Sequence, residues 1–520
     1  MFRSVSGAFV AAAAVSALVA GAGADPPPHT CWQHDPATPG DWFEGANWTA
    51  GVPDGDDYAD INSGGAAGIA SGDAEALELN LGYSAGDLGT VSQTGGTHTV
   101  NGLYVGRHSG GEGRYYLSGA GSLSAVVELI GYYGTGTFLQ TGGTNTVGGI
   151  NGNLFLGYEA GGSGSYGLSG TGSLGAKNEW VGHMGEGWFS QSGGTNTVNG
   201  VLNLAGWSGA TGTYELSGTG SLSAENEFVG KSGTGVFTQT GGTHAVTGTL
   251  RVGRYPVSRG TYTMSGGSLA AGSLIVGDEG KGALNISGAC AEVAVSEVLR
   301  FGPLGRFTAV AGSAIHMTGS DFENWSASPA DLAGLANLEL IFEGGPGSLD
   351  SVEAAGQDVG AVAAGWTKNF ALGGLTLGGA AGCGRIELVD ECDNLSGDEA
   401  LYVDALTLNA GAHVELNDLN LYYRNGIGPK RLAHGDSDLD GDVDATDLAG
   451  LGLNWDPSGS GANAWGTCDF DGDGDVDASD LAQIGLNWNP SGSGGALPEP
   501  GALARVAAGL AAMMARRKRR

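Results

Sequence analysis

The sequence predicts a mainly β protein: a long β-solenoid, followed by a small α-helical module built on two acidic loops. Three observations carry this expectation. First, an aliphatic or small apolar residue followed by glycine recurs as Leu81-Gly82, Val105-Gly106, Ile130-Gly131, Leu156-Gly157, Val181-Gly182, Ala205-Gly206, Val229-Gly230, Val252-Gly253, Val276-Gly277 and Phe301-Gly302, with successive glycines 23 to 26 residues apart. Such a period marks a stack of units, none of which can bury its apolar face alone. Second, the stretches between the pairs alternate large apolar with variable residues, the period of a strand with one buried face. Tyr115 and Leu117, Tyr166 and Leu168, Tyr214 and Leu216, Tyr262 and Met264, and Leu284 and Ile286 are the expected inward members. Third, residues 436–447 read DSDLDGDVDATD and residues 469–480 read DFDGDGDVDASD, an acidic pattern repeated 33 positions apart.

Composition narrows the function. Glycine makes up 101 of 520 residues without a Gly-X-Y period, which excludes collagen. A formal charge of -33 excludes nucleic acid as a partner, because phosphates require a basic face, and it favours metal cations. Residues 1–24 read as a secretory signal, with Arg3, an apolar run from about Ala8 to Ala20, and Ala22-Gly23-Ala24 for cleavage. Export places the five cysteines, Cys31, Cys290, Cys383, Cys392 and Cys468, in a compartment that permits disulfides. They are too few and scattered for a stapled mini-fold, and their pairing stays open.

Residues 25–78 are expected to cap the solenoid, with Trp32, Trp42, Phe43 and Trp48 closing its end; sugar stacking is the other reading of these rings. Residues 79–302 form the regular repeats. Within them every second unit puts glutamine where the others carry an apolar residue: Gln93, Gln140, Gln191 and Gln239. In three of these units a glutamate, Glu128, Glu179 or Glu227, lies twelve residues before the glutamine. Strand alternation turns both inward, where they must be hydrogen-bonded to each other or to turn amides. Catalysis by these carboxylates is the competing reading. An evenly repeated residue is what architecture produces, whereas an active site breaks a repeat. His98 and His244, in the place of Asn145 and Asn196, are expected in solvated turns, too far apart to share a metal. Residues 303–430 keep strand-like segments with looser register, read as irregular final coils.

Two resemblances extend this reading of the rod. The opening GDWFEGANWTAGVPDGDDYADI resembles the start of exported bacterial β-helix proteins. Repeats such as LSGTGSLSAENEFVGKSGTGVFTQTGGTHAV resemble those shared by autotransporter passengers and PEP-CTERM proteins. The second likeness implies a right-handed parallel β-helix; the residues alone ask only for a β-solenoid.

Each acidic loop has carboxylates at positions 1, 3, 5, 7, 9 and 12, glycine at 6 and valine at 8, the pattern of a calcium loop. Two Ca2+ ions are expected. The direct side-chain ligands are Asp436, Asp438, Asp440 and Asp447 in one loop and Asp469, Asp471, Asp473 and Asp480 in the other. Asp442 and Asp475 would ligate through main chain, Asp444 and Asp477 through water. The loops, with LAGLGLNW and LAQIGLNW after them, resemble a dockerin type I module over residues 435–490, which implies a cohesin partner and attachment to polysaccharide-degrading assemblies. Glycines 450, 452 and 485 weaken the helices expected there.

Residues 497–520 run from Leu497-Pro498-Glu499-Pro500 through an alanine-rich stretch to Arg516-Arg517-Lys518-Arg519-Arg520. This order resembles the PEP-CTERM sorting signal and implies an exosortase, transient membrane contact and delivery to the cell surface. Together the segments predict an exported surface protein, structural, adhesive or for display, and not an enzyme. The alternative is a lyase or glycoside hydrolase acting on extracellular polysaccharide and attached through its dockerin.

Overall fold

The structure, a computed structural model, describes residues 28–34, 38–149, 152–319, 321–344, 349–379, 384–409, 412–424, 429–432, 435–437, 442–459, 467–470 and 475–489. The expected signal at 1–24, the sorting tail at 497–520 and Cys383 lie outside these residues. The chain is a parallel β-solenoid followed by two short helices. Each coil runs through three strand segments. Glu112–Leu117 forms the first, and Ser122–Ile130 forms the other two by bending at Val126, an exposed residue that the pairing with Thr97–Val105 skips. Coil lies on coil through parallel ladders, so Glu112–Leu117 pairs with Leu88–Gln93 on one side and Thr135–Gln140 on the other. The widest glycine interval, from Gly131 to Gly157, reflects extra residues at the corner between Thr144–Val147 and Asn153–Leu156.

The repeating glycine turns the chain out of its strand in the left-handed conformation. Gly106 has φ +73°, and a Cβ there would lie 2.3 Å from the Thr135 carbonyl of the next coil. One repeat is corrected by this geometry. Leu204, not Ala205, stands in the apolar column opposite Val181 and Val229, and Ala205 itself takes the left-handed turn at φ 57°. The repeat there is Leu204-Ala205, one position earlier than the Ala205-Gly206 spacing suggested.

All ten residues predicted to face inward are buried. Tyr115, Phe138, Tyr166, Phe189, Tyr214, Phe237 and Tyr262 form one continuous stack, with ring centroids 4.6 to 5.0 Å apart and planes within 6°. The backbone spacing of about 4.8 Å imposes this face-to-face order on rings that otherwise prefer offset or edge contacts.

Tyrosine and phenylalanine alternate because each tyrosine serves a glutamine one coil below. Tyr214 donates its hydroxyl to Gln191 Oε1 at 2.6 Å, and Gln191 Nε2 donates to the carbonyls of Gly194 and Ser221. The same arrangement holds for Tyr115 with Gln93, Tyr166 with Gln140 and Tyr262 with Gln239. The tyrosine oxygen then has room to accept. Asn145 and Asn196 donate to Tyr166 and Tyr214 at 3.2 Å, while Nδ1 of His98 and of His244 lies 2.9 Å from Tyr115 and Tyr262. The two histidines are therefore not solvated turn residues: they are 0% and 2% exposed. Their column is the inward one occupied by Leu123 and Leu222 in neighbouring coils.

The glutamates complete three of these rungs through the asparagine or histidine, not through the glutamine. Asn145 Nδ2 donates to Glu128 at 3.2 Å, Asn196 Nδ2 to Glu179 at 3.1 Å, and His244 Nε2 lies 2.8 Å from Glu227. Leu79, in the same column as Leu103 and Glu128, takes the glutamate's place one coil below His98. Burial pushes Glu128 up to about 8 and Glu179 up to about 7, and the same cause pushes His98 down to about 3. Glu128 Oε1 and Asn145 Oδ1 are both buried with no hydrogen-bond partner among the described residues, as are Glu179 Oε1 and Asn196 Oδ1. A proton on each carboxyl supplies the donor that these oxygens lack.

The three tryptophans of the first coils are buried, with Trp48 Nε1 donating to the Trp42 carbonyl and Trp42 stacked edge-on against His98, while Phe43 stays exposed. They fill the interior, out of reach of a sugar. Beyond residue 302 the coils continue through Leu338–Phe342, Leu372–Leu377 and Glu399–Leu408. No disulfide forms among the described residues, which include Cys31, Cys290, Cys392 and Cys468.

The raised carboxyls fix the sign of a pH dependence. Between about pH 5 and pH 8 the unfolded chain gives up protons that folded Glu128 and Glu179 retain, so stability falls as pH rises, by on the order of a few kcal/mol per group. In thermal unfolding followed from pH 5 to 8, the double substitution Glu128→Gln and Glu179→Gln should remove most of that decline. A slope equal to that of the unaltered protein would show that these carboxyls are ionised in the fold.

Candidate functional site

The two acidic loops each lead into a helix, α1 at Ala445–Asn454 and α2 at Ala478–Leu486. Asp444 and Asp477 cap these helices. Their side chains accept from the amides of Thr446 at 2.6 Å and Ser479 at 2.7 Å. Asp447 and Asp480, three residues on, accept in return from the amides of Asp444 and Asp477 at 2.8 Å, closing a reciprocal capping box. The other oxygens of the same aspartates reach back to the loop starts, where Ser437 N donates to Asp447 at 2.7 Å and Phe470 N to Asp480 at 2.6 Å. The acid at position 12 thus ties the beginning of each loop to the helix that ends it.

The two halves are joined crosswise. Val443, at position 8 of the first loop, forms an antiparallel bridge with Asn489 beyond α2, and its equivalent Val476 bridges to Asp456 beyond α1. Val443, Leu451, Cys468, Phe470, Val476 and Ile484 are buried as the shared core. Gly450, expected to weaken α1, has a packing role: a Cβ there would lie 3.3 Å from Ser437 Oγ and 3.4 Å from Cys468 Sγ, so its absence lets helix and loops approach.

The donor set suits a hard divalent cation. One carboxylate oxygen from each of Asp442, Asp444 and Asp447 lies within 4.8 Å of the others, and so for Asp475, Asp477 and Asp480. Ligands at the usual 2.3 to 2.6 Å from a calcium ion are at most about 5 Å apart. Asp436, Asp447, Asp469 and Asp480, positions 1 and 12 of both loops, are buried, which for carboxylates calls for a facing cation or hydrogen bonds. Asp438, Asp440, Asp471 and Asp473 lie outside the described residues. Asp442 and Asp475 were expected to ligate through main chain, and their side chains also reach the cluster.

Residues 434–485 match the dockerin type I domain. Dockerin domains of this type bind calcium and serve protein–protein attachment, so the chain carries an attachment module following its β-solenoid in sequence. No curated protein and no solved structure matches the chain. Among the described residues no helix is long and apolar enough to cross a membrane.

Sequence reasoning missed a pair of residues on this dockerin. Leu453 in α1 and Leu486 in α2 are 84% and 71% exposed, and they occupy equivalent places in LAGLGLNW and LAQIGLNW. Their signal was the recurrence of an apolar residue on the face opposite Leu451 and Ile484. The interior glutamates, by contrast, are fully buried and out of reach of a saccharide.

If calcium holds the loops to the helices, chelation should release both ends together. Hydrogen exchange should accelerate across Ala445–Asn454 and Ala478–Leu486 on adding chelator, with the ladders of residues 88–301 unchanged. Protection that survives chelation would show that the capping boxes and core hold the helices unaided.

Proposed function

We propose that this chain is an exported, non-enzymatic surface rod that is attached to a cohesin-type protein through a dockerin holding two calcium ions. The observation that carries this reading is the twofold-equivalent pair of exposed leucines, Leu453 and Leu486, on helices whose starts are fixed by the acidic loops. Exposed apolar residues on a small polar module are where a partner gains most from excluding water. The solenoid supplies length and a repetitive surface, suited to display or adhesion. The signal and PEP-CTERM resemblances at the two ends support export, processing by an exosortase and placement at the cell surface. The full set of calcium ligands proposed is Asp436, Asp438, Asp440, Asp442, Asp444 and Asp447 with Asp469, Asp471, Asp473, Asp475, Asp477 and Asp480.

Replacing Leu453 and Leu486 together by aspartate should weaken binding to a cohesin-type partner at least tenfold, about 1.4 kcal/mol, while calcium titration stays as in the unaltered chain. Unchanged affinity would move the interface off these helices.

A second reading, contact with extracellular polysaccharide, is favoured by one surface feature. Outside the strictly alternating interior, one outer face carries Tyr104, Tyr132, Phe155, Tyr158, Trp180, His183 and Trp207 in touching sequence, with centroid distances of 4.7 to 6.3 Å. Lys231 lies over Trp180 at 4.3 Å. These rings break the repeat, as a surface selected for binding does, and flat partly exposed rings suit the apolar faces of sugars. Trp180→Ala with Trp207→Ala should reduce retardation in affinity gels cast with neutral polysaccharide. Equal mobility of the variant and the unaltered chain would leave the stripe as packing alone.

A further inference from the structure

Away from the dockerin, three carboxylates converge where the last coils of the solenoid meet. Glu353 ends the strand Asp350–Glu353, Asp390 directly follows the strand Arg385–Val389, and Glu399 begins the strand Glu399–Leu408. Parallel pairing of the first two strands places Glu353 opposite Val389, next to Asp390. The loop between them, residues 390–399, reads DECDNLSGDE and folds back over Glu353. Cys392 N and Glu391 N donate to the two Glu353 oxygens at 3.0 and 3.2 Å, and Leu395 N donates to Glu399 Oε1 at 2.6 Å.

Acidic clusters are common on a chain this acidic, and most are solvated. Two features set this one apart. Glu353 and Glu399 are 2% and 3% exposed, and Glu399 Oε2 is buried with no hydrogen-bond partner among the described residues. Among those residues no Lys, Arg or His forms an ion pair with any of the three. One oxygen from each lies within 4.8 Å of the others, the spread allowed by a shared calcium ion. Burial, with added repulsion from Asp390 and Glu399, pushes the Glu353 carboxyl up to about 7, and Glu399 is raised by burial and by Asp390. A cation between them would remove that repulsion and give the stranded oxygen a partner.

We propose that Glu353, Asp390 and Glu399 form a further divalent-cation site, of calcium type, that clips the 390–399 loop onto the end of the solenoid. The all-oxygen donor set excludes soft-metal preference. Asp390 is exposed, so the ion enters from its side; Glu353 and Glu399 supply the buried ligands.

The test is calcium titration of the full chain, performed in parallel on the unaltered protein and on Asp447→Ala/Asp480→Ala, which disables the dockerin loops. The disabled chain should still bind one ion, and adding Glu399→Gln should abolish it. Glu399→Gln alone should lower the unaltered chain's stoichiometry by one and leave cohesin-type binding intact, which separates this site from the dockerin reading. Asp390→Asn, at an exposed position, should weaken the same ion at least tenfold and serves where Glu399→Gln does not fold. Hydrogen exchange in residues 385–399 should slow on adding calcium to the disabled chain. A disabled chain that binds no calcium, or a stoichiometry unmoved by both Glu399→Gln and Asp390→Asn, overturns the proposal.

Discussion

The backbone ladder between coils is the constraint on which everything else rests. Parallel strands about 4.8 Å apart place each side chain directly over its counterpart in the coil below, so every inward position becomes a column, and each column must be compatible with itself. A column of rings can satisfy this by stacking, and the run from Tyr115 to Tyr262 does so. A column of charges cannot, because like charges would stand over one another in a dry interior. The chain separates them by alternation: Glu128, Leu154, Glu179, Leu202 and Glu227 occupy successive places in one column. Protonation of the first two and the histidine beside the third complete the accommodation.

The polar rungs show why the interior is not simply apolar. A hydrophobic column of uniform residues would let one coil pair with any other, whereas the hydroxyl of Tyr214 finds an acceptor only where Gln191 lies beneath it. Directional bonds inside a repetitive core therefore fix register, which the outward faces of a glycine-rich rod specify weakly. The dockerin uses the same economy in a different form. One carboxylate, Asp447 or Asp480, caps a helix, anchors the start of its loop and stands in the cluster that suits a cation, so helix geometry and metal affinity are bound into a single group.

Much of the rod was legible in the sequence because its interior columns recur within each repeat. Tyr115 and Leu117 with their equivalents, and the alternation of glutamine, needed only period and strand parity. Two readings failed locally. The glycine after Ala205 drew the repeat one position out of register, since Ala205 adopts a conformation usually left to glycine. His98 and His244 looked like turn residues beside a GGT turn, although their alternation with Leu123 and Leu222 carried the signal of an inward column. In the attachment module the loops were legible from spacing alone. Glu353, Asp390 and Glu399 were not, because strand pairing between distant segments brings them together and no local pattern marks the meeting.

The tyrosine that reaches down one coil for its glutamine has a consequence for how such a rod can change length. Strands bearing Tyr with Leu or Met alternate with strands bearing Phe or Val with Gln, and each bond crosses from one kind to the other. Excising one coil would set two strands of a kind in contact, leaving a hydroxyl over a leucine. Excising two restores every bond. The polar-runged part of the rod is thus quantised in pairs: duplication, deletion or engineering can lengthen or shorten it smoothly only by even numbers of turns.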